Sequence, residues 1–203
     1  MPYIGTQPND VKKNTGLYTP SEILQLTKEG SWGGSLELIA EQIVSGVSAV
    51  DFTSIKENVY DVMFMQVNST NISSGTYFGI QFYESGVLET ASVYQEAFQS
   101  GLASGTFAEV KSTGRSEIIF TQSNITGTAT SVYLYFYNLG NSSKYSFLTA
   151  QGTGETSSNV FNMYFGGGVL PQASTVDGIR ILDKYGTMTG TIKLYGVKQI
   201  WVT

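Results

Sequence analysis

The chain has 203 residues, a formal net charge of −5, no cysteine and no histidine. That length suits one domain with a sizeable core, and the missing residue types exclude disulfides, thiol nucleophiles, histidine triads and typical zinc sites. Hydrophobic residues make up 41% and charged ones only 13%, which is too apolar for a disordered chain; the eleven basic residues are too scattered to neutralise phosphates, so no nucleic-acid partner is expected.

Residues 1–18 are polar, carry Pro2, Pro8 and Gly16, and read as an extended arm. The start lacks the apolar stretch of a signal peptide, and no apolar run reaches membrane-spanning length. The expectation is synthesis in a cytoplasm without signal-directed export or membrane insertion. "TPSEILQLTKEG" then predicts a short helix, with Thr19 as N-cap, Pro20 at the first helical position and Glu22 closing a capping box. Ile23, Leu24 and Leu26 give it one apolar face and Gly30 a stop, while "SWGGS" offers Trp32 as an anchor in a flexible joint. A helix this short needs something to dock on, either its own sheet or another subunit. Two parts are therefore expected: residues 1–34 as arm and docking helix, and residues 35–203 as a β-sandwich.

From Leu36 onward the periodicity becomes that of strands. "LELIAEQIV" alternates and then loses its period. "YDVMFMQV" sets Tyr60, Val62 and Phe64 against Met63, Met65 and Val67. "YFGIQFYE", "SVYQEAF", "EIIFTQ", "SVYLYFYNL", "YSFLTA", "VFNMYF", "GIRIL" and "GTIKLYGVKQIWV" complete about ten short strands, with Gly, Asn and Ser clusters between most of them. Almost no helix signal intervenes. The expected fold is all-β: an antiparallel β-sandwich, jelly-roll or related Greek key. Asn68, Asn71, Asn124 and Asn141 begin Asn-x-Ser/Thr matches and read as loop chemistry.

In "SVYLYFYNL", Val132, Leu134 and Phe136 share one face and Tyr133, Tyr135 and Tyr137 the other. The aliphatic row should face the core. The tyrosine row could stack on sugar rings while its hydroxyls hydrogen-bond, or it could be a solvated or subunit-covered outer face.

Paired carboxylates are the one enzyme route left. The acids are spread singly, however, and Glu84 and Glu89, which bracket "SGVL", are expected to splay into solvent. Asp177 and Asp183 supply one carboxylate each, too few for a calcium loop, and Asp177-Gly178 reads as a turn before "IRIL". "FGGG" lacks the helix and Lys of a phosphate loop and is expected to form a corner between sheets or a close approach to a neighbouring subunit. The expectation is a protein with no catalytic residue, cofactor or metal.

"YNLGNSSKYSFLTAQG", "FGGGVLPQASTVDGIRI" and "GTIKLYGVK", with "LTKEGSWGGSLELI" and "VDFTSIKENVYDV" nearer the start, resemble a family of virion structural proteins from marine and freshwater tailed bacteriophages, notably cyanophages. The resemblance covers most of the chain and implies a particle component without implying which one. Two roles follow as expectations. The first is a tail-associated appendage (fibre, baseplate or adhesin module), anchored through residues 1–34 and contacting host surface polysaccharide through a face among Tyr77, Tyr83, Tyr94, Tyr133, Tyr135 and Tyr137. The second is a capsid cement or decoration protein with those rings buried against the shell. Either would be a homo-oligomer, a trimer by preference, bound to other virion proteins.

Overall fold

The computed structural model describes residues 19–28, 36–72, 78–120, 130–156 and 160–198, with the side chains of 26–28 and 69–72 outside that description. The chain divides into two compact units, Met1–Ser35 and Leu36–Thr203. The first contains α1, Pro20–Lys28. Its capping box is complete: the Thr19 N–H donates to Glu22 Oε2 at 2.6 Å, and the Glu22 N–H donates to Thr19 Oγ1 at 3.3 Å. Those bonds satisfy two N-terminal groups and hold the Glu22 carboxyl below its ordinary range. Ile23 is half-buried, whereas Leu24 is exposed. The arm, Trp32 and the Leu26 side chain lie outside the described residues.

The second unit is built from thirteen described strands: β1 Leu36–Val47, β2 Ala49–Thr53, β3 Val62–Ile72, β4 Phe78–Glu84, β5 Val87–Leu88, β6 Tyr94–Leu102, β7 Phe107–Arg115, β8 Ile118–Ile119, β9 Thr130–Tyr137, β10 Ser146–Glu155, β11 Phe161–Leu170, β12 Val176–Asp183 and β13 Met188–Val197. All pairings are antiparallel. One sheet has eight strands in the order β1-β13-β3-β9-β10-β11-β6-β7; the other runs β2-β12-β4-β5, with β8 also on β4. The chain changes sheet between β1 and β2, β2 and β3, β3 and β4, β5 and β6, β7 and β8, β8 and β9, and on either side of β12.

Period-two alternation explains how the sheets meet. Met63, Met65, Val67, Leu134, Phe136, Ile192 and Leu194 point inward from the large sheet; Phe52, Phe78, Ile80, Phe82, Ile179 and Ile181 point inward from the small one. They form one core cluster, with Phe82 edge-on to Phe136 at 6.1 Å and Phe78 stacked on Phe120 at 5.9 Å. Two antiparallel sheets enclosing one core make this a β-sandwich.

Several local expectations need correction. "FGGG" is no corner: it lies inside β11, hydrogen-bonded to β10 on one side and β6 on the other, and the chain leaves the sheet only after Leu170. No positive φ is used there. The glycines are needed for close approach, since a Cβ on Gly166 would sit 2.6 Å from Phe98 Cα, and one on Gly168 would sit 2.5 Å from Ile118 Cγ2. Asp177-Gly178 is likewise not a turn but part of β12, at a register shift against β4. Asn68 and Asn71 belong to β3 rather than to a loop. The lost period of "LELIAEQIV" is a bulge, with register shifts between Leu38 and Ala40 and between Val44 and Val47. Three strands, β2, β5 and β7, carried no sequence expectation; β7 is an edge strand half-buried at alternate positions, and its charged "FAEVKSTGR" hides the alternation.

Candidate binding face

The outward side chains of the large sheet come from all eight of its strands, whose registers align them in rows. One row runs Leu38, Tyr195, Phe64, Tyr135, Thr149, Gly167, Ala97, Lys111 from β1 to β7. The next runs Lys193, Gln66, Tyr133, Gln151, Phe165, Gln99, Glu109 from β13 to β7. Tyr133, Tyr135 and Tyr137 stand on this face while Val132, Leu134 and Phe136 are buried beneath it, as the alternation requires. Tyr133, Phe147 and Phe165 are each about two-fifths exposed, at 40%, 43% and 43%. This is a broad aromatic surface on the outside of the molecule.

At its centre four rings cluster. Phe64 lies 5.1 Å from Tyr135, 5.9 Å from Tyr195 and 6.3 Å from Tyr133, and Tyr133 is edge-on to Tyr135 at 6.2 Å. The Tyr133 hydroxyl donates to Gln151 Oε1 at 2.5 Å, and Tyr137 and Thr149 share a longer contact of 3.4 Å. Two depressions open beside the cluster. One, of about 240 Å³, is lined by Phe64, Gln66, Asn68, Tyr133, Gln151 and Thr153 among others. The other, of about 450 Å³, is floored by Ala97 and Gly167 and bordered by Phe147, Val169, Thr149 and Ser112.

Charge is confined to the margins of this face. Lys193 pairs with Glu41 at 3.4 Å near one edge, and Lys111 with Glu109 at 2.8 Å near the other. Glu96, beside the second depression, turns its carboxylate inward: Oε2 accepts the Ile119 N–H at 2.5 Å and Oε1 lies 2.6 Å from Arg115 Nε. Burial pushes its carboxyl above the ordinary range, against the opposing pull of the Ile119 bond and of Arg115. Glu117, also buried, is held by Lys184 and Ser116. The Glu96–Arg115 pair ties β6 to β7, and the Glu117–Lys184 pair ties the entry to β8 to the end of β12.

The other tyrosines do not join it. Tyr94 is fully buried, because the phase of β6 points it inward with Glu96 and Phe98; its hydroxyl accepts the Phe82 N–H at 2.9 Å and donates to the Glu89 carbonyl at 3.1 Å. Tyr83 sits on the small sheet, where Arg180 forms a bidentate pair with Asp51 (2.6 and 2.8 Å) and donates to the Tyr83 hydroxyl at 3.1 Å. Tyr77 lies outside the described residues. Phe64, Tyr195, Phe147 and Phe165 are the members that sequence reasoning missed; each is the outward residue of an alternating strand, but only strand order reveals that they converge.

The acids are engaged locally. Glu84 and Glu89 are half-buried rather than splayed: Ser174 donates to Glu84, and the Gln172 amide reaches Glu89 Oε2 at 3.3 Å in one orientation and Glu84 Oε2 at 2.9 Å in the other. Asp183 accepts the Gly186 N–H at 3.1 Å and shapes its own turn. Among the described residues no three His, Cys, Asp or Glu side chains assemble as a metal-binding group. No protein-family model, curated protein or solved structure matches the chain.

Proposed function

We propose that this is a non-enzymatic virion structural protein, a tail-associated appendage module that contacts host surface polysaccharide through the outer face of its large sheet. One observation carries the reading: the four-ring cluster of Phe64, Tyr133, Tyr135 and Tyr195 beside a depression lined with amides and hydroxyls. An aromatic ring covers the apolar face of a pyranose while Gln, Asn and Thr groups exchange hydrogen bonds with its hydroxyls, a division of labour suited to sugars. The repeated sheet-to-sheet crossings of β1 to β4 support the finer jelly-roll description. In this reading residues 1–34 form the anchor to other virion proteins, and the protein is a homo-oligomer, a trimer by preference, in a particle that assembles in the host cytoplasm.

A second reading, a capsid cement protein, is favoured by Ile43 and Phe107, both 79% exposed on the two edge strands of the large sheet. Apolar residues at both edges suit contact with neighbouring subunits of a shell. Immunogold labelling of intact particles, with antibody against residues 36–198, tests the two: gold at the tail supports the appendage and gold over the shell overturns it. The sugar-contact part is tested by migration of the purified chain in native gels cast with polysaccharide. Retardation lost in Tyr133→Ala supports it, and free migration in every polysaccharide overturns it.

A further inference from the structure

We propose that the two depressions on the large sheet form one continuous site for a linear, uncharged polysaccharide, with Phe147 and the Ala97–Gly167 floor making a second subsite. This rests on the sugar-contact reading above and adds the class and run of the ligand. The two hollows share β10: Gln151, Gly152 and Thr153 line the first, and Phe147, Leu148 and Thr149 line the second. Four residues along one strand separate their centres by roughly 13 Å, the reach of a short oligosaccharide rather than of one ring. The hollows also step across the sheet, from β3 and β9 to β11 and β6. A chain joining them runs obliquely over Tyr135 and Thr149.

The second hollow exists because its floor has almost no side chains. Ala97 and Gly167 are direct partners across β6 and β11, and Thr149 faces Gly167 from β10. Phe147, exposed at one end, supplies the stacking surface that Tyr133 supplies in the first hollow. Thr149, Ser112, Thr113 and Gln95 supply neutral donors and acceptors.

Charge decides the class. Among the described residues, the only acidic or basic one lining either hollow is Glu96, and its carboxylate faces the interior. A uronate or sulfate placed there would give up hydration and meet at the rim only Lys111, which stands opposite Ala97 and is already paired with Glu109 at 2.8 Å, whereas a neutral hydroxyl would exchange one hydrogen bond for another. The site therefore selects neutral chains against anionic ones.

Isothermal titration of the purified full chain tests this with linear gluco- and manno-oligosaccharides of increasing length, and with alginate oligosaccharides as carboxylated counterparts. The expected result is affinity that rises with length for a neutral series, and no binding of alginate. Filling the second hollow with Ala97→Trp, or independently with Thr149→Tyr, should abolish the gain from length, about tenfold. Tyr133→Ala should weaken every length. Alginate bound as well as the neutral series, or a length gain that survives both fillers, overturns the inference while leaving the sugar-contact reading intact. Wild-type chain that binds no saccharide of any kind overturns both.

Discussion

Replacing Gly166 by alanine probes whether the glycine run in β11 is there for close packing. The added methyl would lie 2.6 Å from Phe98 Cα and Phe98 Cδ1, and closer still to the Ala97 carbonyl oxygen. Carbon atoms in comfortable contact stand about 3.5–4.0 Å apart, so β6 and β11 must separate locally by about 1 Å. β11 cannot simply slide away, because β10 holds its other side, with Ala150 opposite Gly166. Parting the strands by that amount stretches one or two ladder hydrogen bonds past their useful range, at about 1 kcal/mol each, and adds an overpacking cost of about 1–3 kcal/mol. The smaller unfolded-state entropy of alanine returns about 0.4–1 kcal/mol. The net expectation is destabilisation of about 3 kcal/mol, which for a chain of this size lowers Tm by roughly 6–12 °C. Gly114→Ala is the control. Its nearest neighbour beyond the adjacent chain would be the Ser92 carbonyl oxygen at 3.5 Å, so its Tm should hardly move. Scanning calorimetry reads both. A Gly166→Ala protein that melts within about 2 °C of the parent would refute the close-approach argument.

Four further outcomes are expected. Phe136→Ala empties a fully buried position edge-on to Phe82 and should cost about 3–5 kcal/mol in urea unfolding; a loss below about 1 kcal/mol would contradict the sandwich core. Glu96 has its carboxyl raised by burial, so the folded chain binds this proton more tightly than the unfolded chain, and its contribution to stability is lost as pH rises through the folded value. Glu96→Gln should therefore gain on the parent in urea midpoint as pH rises above the ordinary carboxylate value, and a gap that narrows or reverses would show a carboxylate stabilised by Arg115 instead. Glu37 is held at about 2 by the hydrogen bonds it accepts from Lys56 and Tyr60. Its stabilising effect is present above the ordinary carboxylate value and fades as pH falls toward 2, so Glu37→Gln should cost at most about 1 kcal/mol at pH 7 and nothing near pH 2. Tyr133→Phe removes an exposed hydroxyl bonded to Gln151, so stability should change by less than about 0.5 kcal/mol while saccharide binding weakens about fivefold; unchanged binding would show that the hydroxyl does not touch the sugar.

The alternation of "SVYLYFYNL" settled which side of β9 is buried, because side chains in a strand can point only two ways and only one set is apolar throughout. The capping box of α1 was equally legible, being a matter of three neighbouring residues. β7 was not, since an edge strand pairs on one side only and can carry Glu109, Lys111 and Arg115 without cost. Tyr94 was misjudged for the opposite reason: composition marked it as a ring like the others, and only the phase of β6 against the second sheet buried it.

By itself, then, the sequence determined the strand class, the inward and outward rows of the strongly patterned strands, and the absence of cysteine and histidine chemistry. These depend on residues within a few positions of each other. Only the tertiary structure decided that β3, β9, β10, β11 and β13 lie side by side, bringing Phe64, Tyr133, Phe147, Phe165 and Tyr195 onto one face with its charges at the margins, and that the glycines of β11 thin that face into a hollow. Strand order is set by which long-range pairings bury the most apolar surface together, a competition among all strands that no single stretch encodes.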